Sequence, residues 1–152
     1  AAAAADTWAT ELGVLNQKNP ILITNGKPVT AGTSGAVSLV GTLAAVSGAL
    51  FVALVSGFLF PAGPADYNRA GFVGVVTLAG LIGSLIDSVL GATLQTIYVC
   101  ETCSRETEKH PVHSCGGQTI KLRGLHWMSN DWVNLACTLS AGMVSMLCYL
   151  LF

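Results

Sequence analysis

Three long apolar runs divide this chain. Residues 34–60 carry no charged side chain, residues 71–99 carry only Asp87, and residues 132–152 again carry none. Each exceeds the ~20 residues that a helix needs to cross a ~30 Å hydrocarbon core. None has the polar face that a helix on a soluble core would show. The pattern predicts an all-α, polytopic transmembrane helix bundle. Ala1 to Ala5 form a further apolar stretch, without the basic segment or initiator Met of a targeting signal, and read as the cut end of an upstream helix. The expected architecture is one integral membrane domain over residues 1–152, N-terminally truncated, with three full spans and the end of a fourth helix.

Polar stretches at 6–33, 61–70 and 100–131 separate the runs. In the first, Pro20-Ile21-Leu22-Ile23-Thr24 reads as a short extended segment followed by a turn at Gly26. The second, PAGPADYNRA, has turn chemistry that ends the first span sharply. If each run crosses once, the first and third stretches share a side. That side holds six cations (Lys18, Lys27, Arg105, Lys109, Lys121 and Arg123) against Arg69 alone on the other, so it is expected to be cytoplasmic, or the stromal or matrix equivalent. Composition agrees with a membrane location: 52% of residues are hydrophobic and 10% charged, against roughly 25% charged in a soluble domain. A net charge of -1 without a basic stripe excludes the electrostatic footprint of nucleic-acid binding.

Polar residues at the cation-rich side carry the candidate chemistry. Asp6 with Thr10, and Thr7 with Glu11, are four apart and share a helix face. Their carboxylates suit Mg²⁺, which takes oxygen ligands and substrate phosphates; solvated helix-end charges are the plainer reading. Asp87 lies inside an apolar run, where a charge costs ~2.5–3.5 kcal/mol on insertion scales and normally faces a bundle interior. Ser84, Asp87, Ser88, Gly91 and Gln95 recur at helical spacing and form one polar stripe; a protonated packing Asp is the alternative. Gly32-Thr33-Ser34-Gly35 is expected to open the first span and to offer backbone N–H groups to a phosphate, with Lys27 upstream as a cation, or simply to cap the helix. Asn130, Asp131 and Asn134 open the last span as ligands for a metal or for hydroxyls, Ser129 or Asn130 being equally an N-cap, while Trp127 and Trp132 fit an interfacial belt. Cys100, Cys103, His110, His113 and Cys115 hold zinc-type ligands on the cation-rich loop, although H-x2-H-x-C matches no standard spacing, and free thiols are the simpler reading. Cys137 and Cys148 are expected to pack as small apolar groups. Gly41, Ala45, Gly48, Gly80, Gly83 and Ser84 are expected at close helix contacts.

Several segments taken in order carry a resemblance. They are Asp6-Thr7-Trp8-Ala9-Thr10-Glu11-Leu12-Gly13, Pro20-Ile-Leu-Ile-Thr24, Gly32-Thr33-Ser34-Gly35-Ala36-Val37-Ser38, Gly83-Ser84-Leu85-Ile86-Asp87-Ser88-x-Leu90-Gly91-Ala92-Thr93-x-Gln95 and Val133-Asn134. The chain resembles the transmembrane protein 19 family (domain of unknown function 92), which includes the plant phytyl-phosphate kinase and the plant glucose-response protein PGR. The resemblance implies further spans upstream and a lipid bilayer as surroundings. It also implies an activity similar to polyprenol kinases, in which CTP or another nucleoside triphosphate, with Mg²⁺, phosphorylates an isoprenoid monophosphate. Asp6, Glu11, Asp87, Gln95, Gly32, Thr33, Gly35 and Asn134 fall on family motif positions. Asp6, Glu11 and Asp87 are then the catalytic, metal-holding acids. Two departures stand out: Ser34 and Ala36 replace an Asn and a Gly of the glycine-rich motif, and Ser129-Asn130-Asp131 replaces Asp-Asn-Asn, so metal binding does not carry over to the latter. A carrier whose path Asp87 lines, or a regulatory scaffold docking through the Cys/His loop, are the non-enzymatic alternatives.

Overall fold

The computed structural model describes residues 1–59 and 68–151. Four helices dominate it: α1 (Ala2–Gly13), α2 (Leu39–Leu59), α3 (Arg69–Thr93) and α4 (Asn130–Leu151). Three segments, Leu39–Leu59, Arg69–Thr93 and Asn130–Leu150, are long and apolar enough to cross a membrane. The short α1 packs on α2, α3 and α4. Of the turn expected at 61–70, residues 61–67 lie outside the described residues, whereas Asn68 caps α3 and residues 69–70 already belong to it, the Asn68 side chain accepting hydrogen bonds from the N–H groups of Ala70 and Gly71.

Small residues let the helices approach. A Cβ added at Gly48 would lie 2.7 Å from the Ala4 carbonyl oxygen, and one at Gly83 would lie 2.9 Å from the Ala2 Cβ. The buried clusters are correspondingly built from alanine: Ala5, Ala45 and Ala49 in one, and Ala2, Ala79 and Ala141 with Cys137 in the other. Large apolar side chains point outward instead, among them Phe51, Leu54, Phe58, Leu78, Leu139, Met143 and Leu147. This inverts the soluble pattern and suits helices whose backbones meet while their bulky residues face lipid.

Two antiparallel sheets modify the all-helical expectation. The first pairs β1 (Ile21–Leu22) with β2 (Ala36–Val37), and the Gly26 turn follows β1 as the sequence suggested, with φ +67°. The second has order β4-β3-β5, formed by β3 (Ile97–Cys100), β4 (Glu106–Thr107) and β5 (Thr119–Arg123). Residues 34–38 and 94–99, expected in helical spans, are therefore turn and strand. The last apolar residues of the second run, Ile97, Tyr98 and Val99, are β-branched or aromatic and pair with β5. Both sheets lie in the connections where α1 and α3 end and α2 and α4 begin, so they gather at one end of the bundle.

Candidate functional site

At that end the helices and their connections line an open cavity of about 860 Å³, within the range of small-molecule sites. α1 contributes Asp6, Thr7, Thr10 and Glu11, and α3 contributes Ser84, Asp87 and Ser88. The turn Gly32 to Gly35 lines a second wall, Gln95 and Asn130 with Asn134 a third, and Glu106, Glu108 and Lys109 reach in from the β4 side. The carboxylates of Asp6, Asp87 and Glu108 lie within interaction range of one another. Asp87 Oδ1 is buried and, among the described residues, has no hydrogen-bond partner. Thus Asp87 points into protein and not into lipid, on the same cavity as Asp6 and Thr33.

The profile described as "Integral membrane protein DUF92" matches residues 1–142, which include every wall of this cavity. The chain belongs to the DUF92 family of integral membrane proteins. It is 35% identical over 140 residues to Protein PGR of Arabidopsis thaliana, covering 88% of this chain and 46% of that protein. It is also 31% identical over 152 residues to the uncharacterized membrane protein MJ0933 of Methanocaldococcus jannaschii, covering 98% of this chain and 48% of that one. The chain thus spans about half the length of these curated relatives. No solved structure matches it.

Within this DUF92 segment the glycine-rich turn sits differently from expectation. It does not open α2, which begins at Leu39; Ser38 caps that helix, its Oγ accepting from the Gly41 N–H at 3.0 Å. The turn instead presses onto α3, because Gly35 has φ +81° and a Cβ there would meet the Ser88 carbonyl oxygen at 2.6 Å. Lys27 belongs to the β1–β2 connection and does not line the cavity; Lys109 does, donating to Ser114 Oγ at 2.9 Å. Asp131, one residue round the helix from Asn130, lines a smaller neighbouring cavity with Tyr98, His110 and His126.

Gln95 joins three walls. It is 2% exposed, and its Oε1 accepts from Ser34 Oγ at 2.6 Å while its Nε2 donates to Glu108 Oε1 at 2.7 Å and to Asn130 Oδ1 at 3.3 Å. Gly91 makes this possible, since a Cβ there would lie 2.7 Å from Ser34 Oγ. Arg123 clamps the same corner: Nη1 donates to the carbonyls of Gly91 and Ala92 at 3.0 and 2.7 Å, and Nη2 donates to the Ser34 carbonyl at 3.3 Å and sits 3.8 Å from Glu106 Oε2. Its charge therefore meets the orphan carbonyls at the end of α3. Gln95→Leu leaves the half-buried Ser34 hydroxyl without its acceptor, while the exposed Glu108 and Asn130 lose a partner that water can replace. The expected cost is about 1–2 kcal/mol in thermal unfolding of the detergent-solubilised protein. An unchanged unfolding temperature would show that Gln95 does not join the walls.

Reasoning from the sequence missed Ser38, Glu106, Glu108, Lys109 and Arg123 as site residues. A signal existed: Glu106 and Glu108 alternate, as do Lys121 and Arg123, with the period of a strand. The Cys/His loop divides clearly. Cys100, Cys103, His113 and Cys115 converge, their ligand atoms all within 4.8 Å of one another. His110 stands apart, its ring stacked on Tyr98 with centroids 4.4 Å apart and its Nδ1 3.1 Å from Thr119 Oγ1. The Cys103 backbone N–H, helped by that of Thr102 and by the neighbouring thiols, brings the Cys100 thiol down to about 7 against the opposing effect of burial. Although the Gly117 N–H favours its thiolate, Cys115 is held above the usual thiol range by sharing a hydrogen bond with Cys100, by burial and by Cys103.

Proposed function

We propose that this chain forms the phosphoryl-transfer part of a membrane isoprenyl-phosphate kinase, using CTP or another nucleoside triphosphate with Mg²⁺. The observation that carries the reading is the convergence of Asp6, Asp87 and Glu108 on one cavity, with a buried, unpartnered Asp87 oxygen among them. Asp6 and Asp87, both half-buried and close together with the exposed Glu108 beside them, call for a counter-charge, and oxygen-rich sites of this kind select hard divalent cations. Asp6 and Asp87 would hold the ion, with Glu108 and Glu11 beside them. Bound there, Mg²⁺ would neutralise charge on the transferring phosphoryl group.

The chain's own residues supply the rest. Lys109 offers the cavity a cation for phosphate oxygens. At Gly32 a Cβ would meet open space, so the turn backbone is approachable there. Asn130 and Asn134, four apart on α4, offer amide groups to a sugar or base. Gln95 and Arg123 hold the turn, the β4 segment and α4 in mutual register, and phosphoryl transfer depends chiefly on such positioning. Apolar outer faces of α2, α3 and α4 would let a prenyl chain remain in lipid while its phosphate reaches the cavity.

The test uses the full-length protein in membranes with labelled CTP and ATP and, as acceptors, phytyl, farnesyl and geranylgeranyl monophosphates. Label transfer to at least one acceptor, dependent on Mg²⁺, is expected. Ion or metabolite flux in proteoliposomes without nucleotide consumption would replace this reading with that of a carrier.

A further inference from the structure

The segment joining β3 to β5 contains a cluster that the phosphoryl-transfer reading does not use. Two tight turns each present two ligands. In the first, Cys100 and Cys103 flank a turn closed by the Ser104 N–H donating to the Cys100 carbonyl at 2.8 Å, and Ser104 takes φ 55°. In the second, His113 and Cys115 flank a turn closed by the Gly116 N–H donating to the His113 carbonyl at 2.9 Å, and Gly116 takes φ +84°. In each turn the residue after the second ligand is left-handed and closes back on the first ligand's carbonyl. The two turns are pressed together at Gly117, where a Cβ would lie 2.7 Å from Cys100 Sγ.

Distances between the ligand atoms decide what the cluster is for. Cys115 Sγ lies 3.5 Å from Cys100 Sγ, 3.7 Å from Cys103 Sγ and 3.1 Å from His113 Nδ1, and Cys103 Sγ lies 3.4 Å from His113 Nδ1. A tetrahedral zinc centre with its usual bond lengths has sulfur–sulfur edges of ~3.8 Å and sulfur–nitrogen edges of ~3.5 Å. A disulfide would instead bring one pair of sulfurs to ~2.05 Å and leave the third thiol and the imidazole unexplained. Backbone N–H groups of Thr102 and Cys103 directed at Cys100, and of Gly117 at Cys115, are the outer partners that thiolate ligands require.

We propose that Cys100, Cys103, Cys115 and Nδ1 of His113 bind one structural zinc ion that staples these two turns together. Three thiols lose their protons on binding, and the closed set of four ligands leaves no position for substrate. Soft thiolates with one imidazole favour zinc over the hard cation suited to the carboxylate cavity. The ion would close both ends of segment 104–112, which carries Glu106, Glu108 and Lys109 to the cavity. The zinc site stands on its own geometry, whatever chemistry the cavity performs.

The experiment takes the full-length protein purified in detergent without chelators and measures its metal content. One zinc per chain is expected, falling to background in Cys103→Ser and Cys115→Ser and remaining in His110→Ala. Exchange of wild-type protein with Co²⁺ should yield the intense ligand-field and thiolate charge-transfer absorption of a tetrahedral centre; this measurement decides the matter if the cysteine variants fail to fold. Wild-type protein that lacks zinc and gives no such cobalt spectrum overturns the proposal, as does a disulfide among these cysteines found by mass spectrometry. Loss of zinc in His110→Ala would overturn the ligand assignment.

Discussion

Asp87→Asn is expected to lower isoprenyl-phosphate kinase activity by at least about a hundredfold while the protein still accumulates in membranes. Removing even an outer partner of a metal ligand costs 10–100-fold, and loss of a ligand's charge should exceed that. Asparagine has nearly the same shape, so the packing of α3 against α1 is kept. The fold should not suffer, because Asp87 Oδ1 is buried with no hydrogen-bond partner among the described residues and sits among other carboxylates. Removing one negative charge from that group relieves repulsion. A second readout separates catalysis from folding. Wild-type protein should gain about 2.7 kcal/mol of stability from Mg²⁺–nucleotide at a hundredfold excess over its dissociation constant, and Asp87→Asn should gain little. Equal turnover and equal ligand-induced stabilisation in both proteins would remove Asp87, and with it the proposed metal, from the mechanism.

Gly35→Ala should destabilise the protein by ~2–5 kcal/mol, and Gly32→Ala by only ~1–2 kcal/mol. Both glycines have positive φ, +81° and +88°, so each alanine meets the backbone strain of the left-handed region. Their surroundings differ. A Cβ at Gly35 would overlap Ala92 and lie 2.6 Å from the Ser88 carbonyl oxygen, both backbone-anchored on α3, whereas no atom of the described residues lies within 4 Å of one at Gly32. Overpacking adds ~1–3 kcal/mol at the first site alone. Displacing the turn also withdraws Ser34 from Gln95, so Gly35→Ala should lose activity along with stability. Thermal unfolding of the two variants in one detergent measures the contrast. Equal shifts would mean that the turn does not rest on α3.

Much of the helical architecture was legible because a bilayer imposes a simple rule. Runs of about twenty apolar residues have to satisfy their backbones internally, and helices do so. Glycine and alanine at Gly41, Ala45, Gly48, Gly80 and Gly83 marked the contacts for the same reason, since lipid offers no drive to bury large side chains. The ends of the runs were less legible. Hydropathy does not distinguish a helix from a buried strand, so Ile97, Tyr98 and Val99 read as a continuation of α3 although they pair with β5. The glycine-rich turn was placed at a helix start by its composition, yet the left-handed Gly35 rests it against α3, four residues ahead of that start.

Local spacing also found Asp6, Asp87, Asn130 and Asn134, because helical periodicity places residues on faces; Gln95, counted on the same stripe, lies just past the end of α3. It did not show that Lys27 stands aside while Lys109 enters, or that Glu108 completes the acidic group. Those outcomes depend on how the β4-β3-β5 sheet folds back over the end of the bundle. Likewise, five Cys and His residues lay within sixteen positions of one another, and nothing in their spacing separated His110 from the four that converge. Periodicity is a property of neighbours along the chain, so sequence reveals spans, faces and motifs. Which of those faces meet, and which loop residue reaches across, follows from contacts between segments far apart in the chain: Ser34 with Gln95, Arg123 with Gly91, and Asp6 with Asp87.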